Sequence, residues 1–274
     1  MAESNATASH TASKPTIIIV HGAWHRPMHF QALSRALTSH GYKVVIPALP
    51  SVDKAPEEIT PDSQADIDTV RRAILAELDG ISDDNTATAA TTPNDVILVP
   101  HSYGGIPASG ALRGLDPASR AAQGKPTGVR AIAAITAYII SEGMNIPEAE
   151  GRPASAIPTH DPLMGPPPAS VFWQDLGPES ETWRSAERNL NVMSSAALFD
   201  SCRFSAFEVV PVHFLMARED LAMKFATQEK TVQMIRDGGG VVRTEVLEGC
   251  SHSPFLSRVA ETVAFLRRSA GEDV

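Results

Sequence analysis

A hydroxyl, an imidazole and a carboxylate in separate parts of the chain have the chemistry of nucleophilic acyl transfer. They are Ser102 in PHSYGG, His252 in GCSHSPFLSR, and Glu219 or Asp220 in MAREDLAM. A serine hydroxyl attacks a carbonyl usefully only when a neighbouring base removes its proton. Imidazole suits that task because its unperturbed pKa, about 6.5, lies near neutrality. His252 would take the Ser102 proton and later hand it to the leaving group. A carboxylate would hold the ring in the right tautomer and stabilise the imidazolium that forms. Glu219 and Asp220 are adjacent and compete for that role.

Such groups need a frame that carries them to one edge. Thr16–His21 (TIIIVH) is a β-branched run that reads as a strand buried on both faces. A helix follows over Pro27–His40, with Phe30, Leu33 and Leu37 at helical spacing and Gly41 as its stop. Lys43–Pro47 reads as the second strand, and Asp62–Gly80 as a helix with Ile67, Val70, Ala73, Ile74 and Leu78 on one face. Ser82–Asn94 is a polar Thr/Ala/Asp loop, expected to be mobile. Asp95–Pro100 is the third strand, His101–Gly105 a tight turn, Ile106–Leu115 a helix and Val129–Thr136 the fourth strand. Proline and glycine are dense from about Ser141 to Glu208, with short helical pieces around Ser180–Leu190 and Ser194–Asp200. That segment reads as an insertion over the sheet and not as another strand layer. The alternation resumes with strand Val212–Met216, helix Ala222–Asp237, strand Val241–Leu247 and helix Pro254–Ser269. Strands alternating with helices predict an α/β fold with a mainly parallel sheet of about six strands, covered on both faces.

Ligands of such a sheet bind beyond the carboxyl ends of its strands. The first strand is followed by His21-Gly22-Ala23-Trp24, the third by Ser102, the next-to-last by Glu219 and Asp220, and the last by His252. All of these fall on one rim. Ser102 would sit at a sharp strand–turn–helix junction, the setting of a G-x-S-x-G nucleophile elbow, where the helix N-terminus favours a developing anion. Pro100 stands where the first glycine is usual, and its bulk and fixed φ predict a looser turn. Backbone N–H groups of Ala23 and Tyr103 could form an oxyanion hole, with Gly22 letting its loop turn back toward the serine. Trp24 would line the pocket or pack only against the insertion.

The remaining candidates are bland. His21 and His101 lie on strand ends and read as structural. His21, His25 and His29 are spaced by four, but His21 ends a strand, so they do not share a helix face and no metal site is expected. Cys202 and Cys250 make no metal-spaced cluster; two reduced thiols are favoured, and a single disulfide stays open. The net charge of −9 comes without a Lys/Arg cluster, which argues against nucleic-acid and anionic-membrane partners. Residues 1–14 have no apolar signal-like stretch and read as a disordered tail, and no run approaches transmembrane length, so the cytoplasm is the expected compartment.

The segments IIIVHGAWH, PHSYGG, MAREDLAM and GCSHSPFLSR together resemble the α/β-hydrolase superfamily over about Thr16 to Arg268. More narrowly, they are similar to the branch that contains plant methylesterases, hydroxynitrile lyases and small microbial serine hydrolases. The resemblance implies a core over residues 15–137 and 208–274 and a helical cap over 138–207. It favours Asp220 over Glu219 as the acid, since the family places an aspartate a few residues past this strand. It also implies that cap residues Phe172, Trp173 and Trp183 wall the pocket, with Leu176, Met193 and Phe199 as further candidates; for each, packing within the cap competes. Ser253, the fifth candidate pocket residue beside Trp24, Phe172, Trp173 and Trp183, follows His252 where the lyases carry lysine, and Gly22 stands where they carry threonine, which favours hydrolysis.

The expected activity is cleavage of a carboxylic ester, lactone or thioester of a small to medium apolar molecule, through an acyl-enzyme and without cofactor or metal. Two alternatives share the fold. One is a cofactor-free lyase, C–C bond-cleaving or isomerase-like enzyme; the other is a non-catalytic ligand-binding protein. The partner is a small molecule, and the assembly is a monomer or homodimer.

Overall fold

Alternation within the β-branched runs sorts their side chains into two layers. The computed structural model describes residues 13–81, 92–153 and 161–274. In β1 (Thr16–Val20), Ile18 and Val20 face one side and Ile17 and Ile19 the other, and all four are fully buried. Burying such a side chain contributes about 1.5–3 kcal/mol. The chain continues through α1 (Gln31–Ser39), β2 (Val44–Val45), α2 (Gln64–Asp79), β3 (Val96–Pro100), α3 (Gly105–Leu112), α4 (Pro117–Ala122) and β4 (Val129–Ile135). The insertion follows, with α5 (Ile146–Ala149), β5 (Leu163–Met164), α6 (Ser170–Trp173), α7 (Glu181–Arg188), β6 (Met193–Ser194) and α8 (Ser195–Leu198). The chain closes with β7 (Val212–Ala217), α9 (Phe225–Asp237), β8 (Val242–Leu247), α10 (Pro254–Ser257) and α11 (Val259–Ser269).

The main sheet has six strands in the order β2-β1-β3-β4-β7-β8, every neighbouring pair parallel. One face packs Ile18, Leu98, Ile132 and Phe214 against α2, α3 and α9. The other packs Ile17, Ile97, Ile135 and Leu215 against α1 and α11. From β1 the chain first runs outward to β2 and then returns to β3 on the other side. The helices that follow β1 and β3 therefore cover opposite faces of the sheet, and ligands of open α/β sheets bind at such a switch of direction. No helix among the described residues is long and apolar enough to cross a membrane.

The structure departs from the sequence expectations in several places, among them α4, which was not expected. β2 shortens to two residues, because this edge strand pairs only through Ile17 and Ile18 of β1. The insertion contains a small antiparallel ribbon, β5 with β6, where only helical pieces were expected; two-residue strands are too short to carry a period. The expected single helix over Pro254–Ser269 is broken at Arg258, whose backbone is non-helical and whose guanidinium donates to Gly249 O. Lys14, assigned to the tail, is described and pairs with Glu272. Residues 1–12 of that tail and 82–91 of the polar loop lie outside the described residues.

The insertion is tied to the core by polar seams. Ser194 N–H donates to Ser51 O at 2.9 Å, Asn191 N–H to Trp24 O at 3.0 Å, and Asn191 Nδ2 to Val52 O and Lys54 O at 2.8 Å each.

Candidate active site

β3 delivers Ser102 to the rim in a strained conformation. Ser102 has φ +52°, between an extended His101 and a single 3-10 turn that leads into α3. The two glycines after Tyr103 are required by space. A Cβ on Gly104 would lie 2.3 Å from Val20 O, and one on Gly105 would lie 2.2 Å from Tyr138 O. The looser turn expected from Pro100 is not seen. Pro100 stays in register with Val20, and His101 N–H donates to Val20 O at 2.9 Å. On its other side the pairing with β4 lapses after Leu98 and resumes in a single parallel bridge between His101 and Ile135, so the proline, which has no N–H to donate, sits in a short gap of that ladder.

β7 and β8 deliver the acid and the imidazole. His252 Nδ1 bonds Asp220 Oδ2 at 2.7 Å, with both side chains inaccessible to solvent. Asp220 is fixed by three further donors: Ala222 N–H and Met223 N–H at 2.8 Å each to Oδ1, and Gln228 Nε2 at 3.2 Å to Oδ2. Gln228 was not anticipated; it is fully buried on α9 and also brackets both backbone groups of Ala217. Glu219 does something else: its Oε2 accepts Cys250 N–H at 3.0 Å. Of the two competing carboxylates, Asp220 is the one bonded to the ring.

The loop after β1 lies directly on the elbow. A Cβ on Gly22 would sit 2.8 Å from both Ser102 Cβ and His101 Nδ1. Ala23 is buried, and no described residue accepts a hydrogen bond from its N–H. Tyr103 N–H belongs to a first helical turn, where intrahelical acceptors are lacking. The Tyr103 ring is buried and its hydroxyl donates to Asp66 Oδ2 at 2.7 Å. Asp66, also unanticipated, accepts Ser51 N–H and Ser51 Oγ–H as well. Burial pushes the Asp66 carboxyl up and, with Asp66 beside it, drives the Tyr103 hydroxyl well above its ordinary value.

The five anticipated pocket residues are placed at different depths. Phe172 lies 6.0 Å from the His252 ring and so borders the Asp220–His252 pair, and Trp24 stands next to Phe172 at 5.8 Å. Trp24 Nε1 donates to Met164 O of the insertion at 3.0 Å. Trp173 is fully buried behind Phe172, and Trp183 stands edge-on behind Trp173 at 6.3 Å. Ser253 is fully buried, with its hydroxyl 3.5 Å from His25 Nε2. Trp173 and Ser253 are thus fully buried, and Trp183 is partly buried.

His21, His25, His29 and His101 surround this center as buried rings. Burial lowers the pKa of each, to about 4 for His21 and far below the ordinary value for His25 and His101. They act as neutral struts: His25 Nδ1 donates to Ala23 O at 2.8 Å, His29 Nε2 to Ala186 O at 3.0 Å, and Leu49 N–H donates to His21 Nε2 at 3.2 Å. Both cysteines are buried free thiols.

Among the described residues, the non-glycine positions with positive φ are Trp24, Ser102 and Thr136, and all three lie on this rim. Each such conformation costs on the order of 1–3 kcal/mol, and strain of this kind clusters where function holds it. Thr136 left no signal in the sequence beyond its place at the end of a strand.

A parallel sheet with a serine at a strained strand-to-helix turn on its carboxyl rim is the architecture of the α/β-hydrolase fold. The model of the alpha/beta hydrolase family matches residues 17–265, and the chain belongs to that family. It is similar to the alpha/beta hydrolase nvfD of Aspergillus novofumigatus, at 28% identity over 278 residues that cover 95% of this chain and 98% of the relative. Its structure is similar to that of a pyrethroid hydrolase from Sphingobium faniae, with a TM-score of 0.66 at 20% identity over 94% of this chain and 97% of the other. A methylesterase from Arabidopsis is comparably similar, with a TM-score of 0.63 at 19% identity over 94% and 99% of the two chains. At these identities the structural likenesses speak for a common fold.

Proposed function

We propose that the protein is a serine hydrolase that cleaves a carboxylic ester or lactone of a small to medium apolar substrate through an acyl-enzyme on Ser102. One observation carries the reading: the buried His252–Asp220 bond of 2.7 Å on the rim where Ser102 is held at φ +52°. That bond engages Nδ1 and leaves Nε2 as the proton acceptor. Ser102 Oγ attacks the carbonyl carbon while its proton passes to His252. The anionic oxygen then faces the N–H groups of Ala23 and Tyr103. As the intermediate collapses, the alcohol leaves with the proton from His252, and the acyl group stays on Ser102. Water, deprotonated by His252, attacks the acyl-enzyme; the acid departs and Ser102 regains its proton. A thioester would pass through the same steps.

Phe172 beside His252, with Trp24 next to it, offers an apolar wall, which suits an apolar acyl or alcohol part. The names of the structural neighbours, a hydrolase of pyrethroids and a methylesterase, agree with ester cleavage. The test is a p-nitrophenyl ester series. The wild type is expected to show a burst of nitrophenol. Ser102→Ala is expected to lose at least about 10³-fold in turnover with an unchanged circular dichroism spectrum. Undiminished activity in that variant would remove Ser102 as nucleophile. Steady turnover of another bond type without a burst would favour a lyase.

A further inference from the structure

We propose that His101 and Thr136 are positioning residues that clamp the backbone carbonyl of His252 and so hold the base in place against the nucleophile. The proposal rests on the roles of Ser102 and His252 given above. His252 O accepts two side-chain hydrogen bonds at once, from His101 Nε2 at 3.1 Å and from Thr136 Oγ1 at 3.0 Å. Both donors are fully buried. Each makes no other side-chain hydrogen bond among the described residues, and His101 Nδ1 is left buried without a partner.

Neither residue suits its site on packing grounds alone. An apolar ring in place of His101 would fill the space without an orphaned nitrogen. A glycine in place of Thr136 would adopt φ +42° without strain, whereas a β-branched residue resists it. What the two share is the carbonyl oxygen they hold. They also come from different walls of the site. His101 directly precedes Ser102 and is pinned to β1 through its own N–H to Val20 O. Thr136 follows β4 and is pinned to β7 through its N–H to Leu215 O at 3.0 Å. The carbonyl is therefore anchored to the rigid sheet on both sides of the elbow. Asp220 orients the imidazole, and the clamp sets where the imidazole begins.

The clamp is read most directly through covalent labelling of Ser102 by an alkyl fluorophosphonate, which needs no knowledge of the substrate. In that reaction the Oγ–P bond forms, the P–F bond breaks, fluoride departs and the serine proton passes to His252. Thr136→Val keeps the branched shape and loses the hydroxyl. Thr136→Gly loses the hydroxyl and relieves the strain, so it is expected to fold. Both should show a limiting labelling rate lower by about tenfold or more with an unchanged inhibitor constant, and Thr136→Ser should restore the rate to within about twofold. A folded Thr136→Gly that labels at the wild-type rate would overturn the clamp. So would a change confined to the inhibitor constant, or a failure of both variants to fold. Ser102→Ala labelling at the wild-type rate would instead overturn the hydrolase reading, and the clamp with it.

Discussion

Asp220 and Glu219 are neighbours in the chain, yet their carboxylates face different tasks. Asp220 meets the His252 ring, and Glu219 supports the backbone that leads to it through Cys250 N–H. Asp220→Asn would present an amide to the ring and favour the wrong tautomer, for a loss on the order of 10³–10⁴-fold in kcat. Glu219→Gln retains an oxygen that can accept Cys250 N–H, so its loss should stay within about threefold. Steady-state kinetics on one ester would check this, and the opposite ranking would move the acid to Glu219. The two residues were not separable by residue type or spacing, because adjacent side chains diverge only once the turn after β7 is built. Ser102 and His252 were legible because each follows within a few residues of a segment that could be read as a strand.

At the level of elements, the elbow depends on backbone packing more than on the side chains around it. α3 begins where two glycines let it press against β1 and against the chain after β4. Gly105→Ala would drive a methyl into Tyr138 O, with no flexible side chain to yield. A cost of about 2–3 kcal/mol or more is expected, which for a chain of this size lowers the melting temperature by about 5–10 °C. Gly165→Ala is the control: nothing lies within 4 Å of the added methyl and its φ is ordinary, so its effect should stay within about 0.5 kcal/mol. Calorimetry on the two variants distinguishes a steric need from general intolerance of alanine. The effect of Pro100 belongs to this level too. A single strand suggested a looser turn, but Pro100 falls in a short gap of the pairing with β4, which resumes at His101, while its register with β1 is kept.

Across the whole molecule, four buried neutral histidines tie loops, core and insertion together, and they make stability depend on pH. Burial lowers the pKa of each in the folded state, to about 4 for His21 from an ordinary 6.5. Between those values the unfolded chain takes up protons that the folded one refuses. Their contribution is thus complete above the unfolded pKa and is lost as pH falls toward the folded one. Each ring contributes about 1.4 kcal/mol per pH unit inside that window. Urea unfolding at pH 7, 6 and 5 is expected to show a steep loss of stability on the acid side. A flat profile would mean that these rings open to solvent and protonate in place.

From the linear chain alone came the fold class, the strands that feed the rim, and the serine and histidine at their ends. Those features are local: a period of two, a glycine pair, a polar residue closing an apolar run. Only the tertiary structure decided which carboxylate meets His252, which aromatics border it, and that His101, Thr136, Asp66 and Gln228 brace the surrounding loops. Such choices depend on contacts between residues far apart in sequence, and on strain that the rest of the fold must hold in place. Neither leaves a trace in spacing or composition.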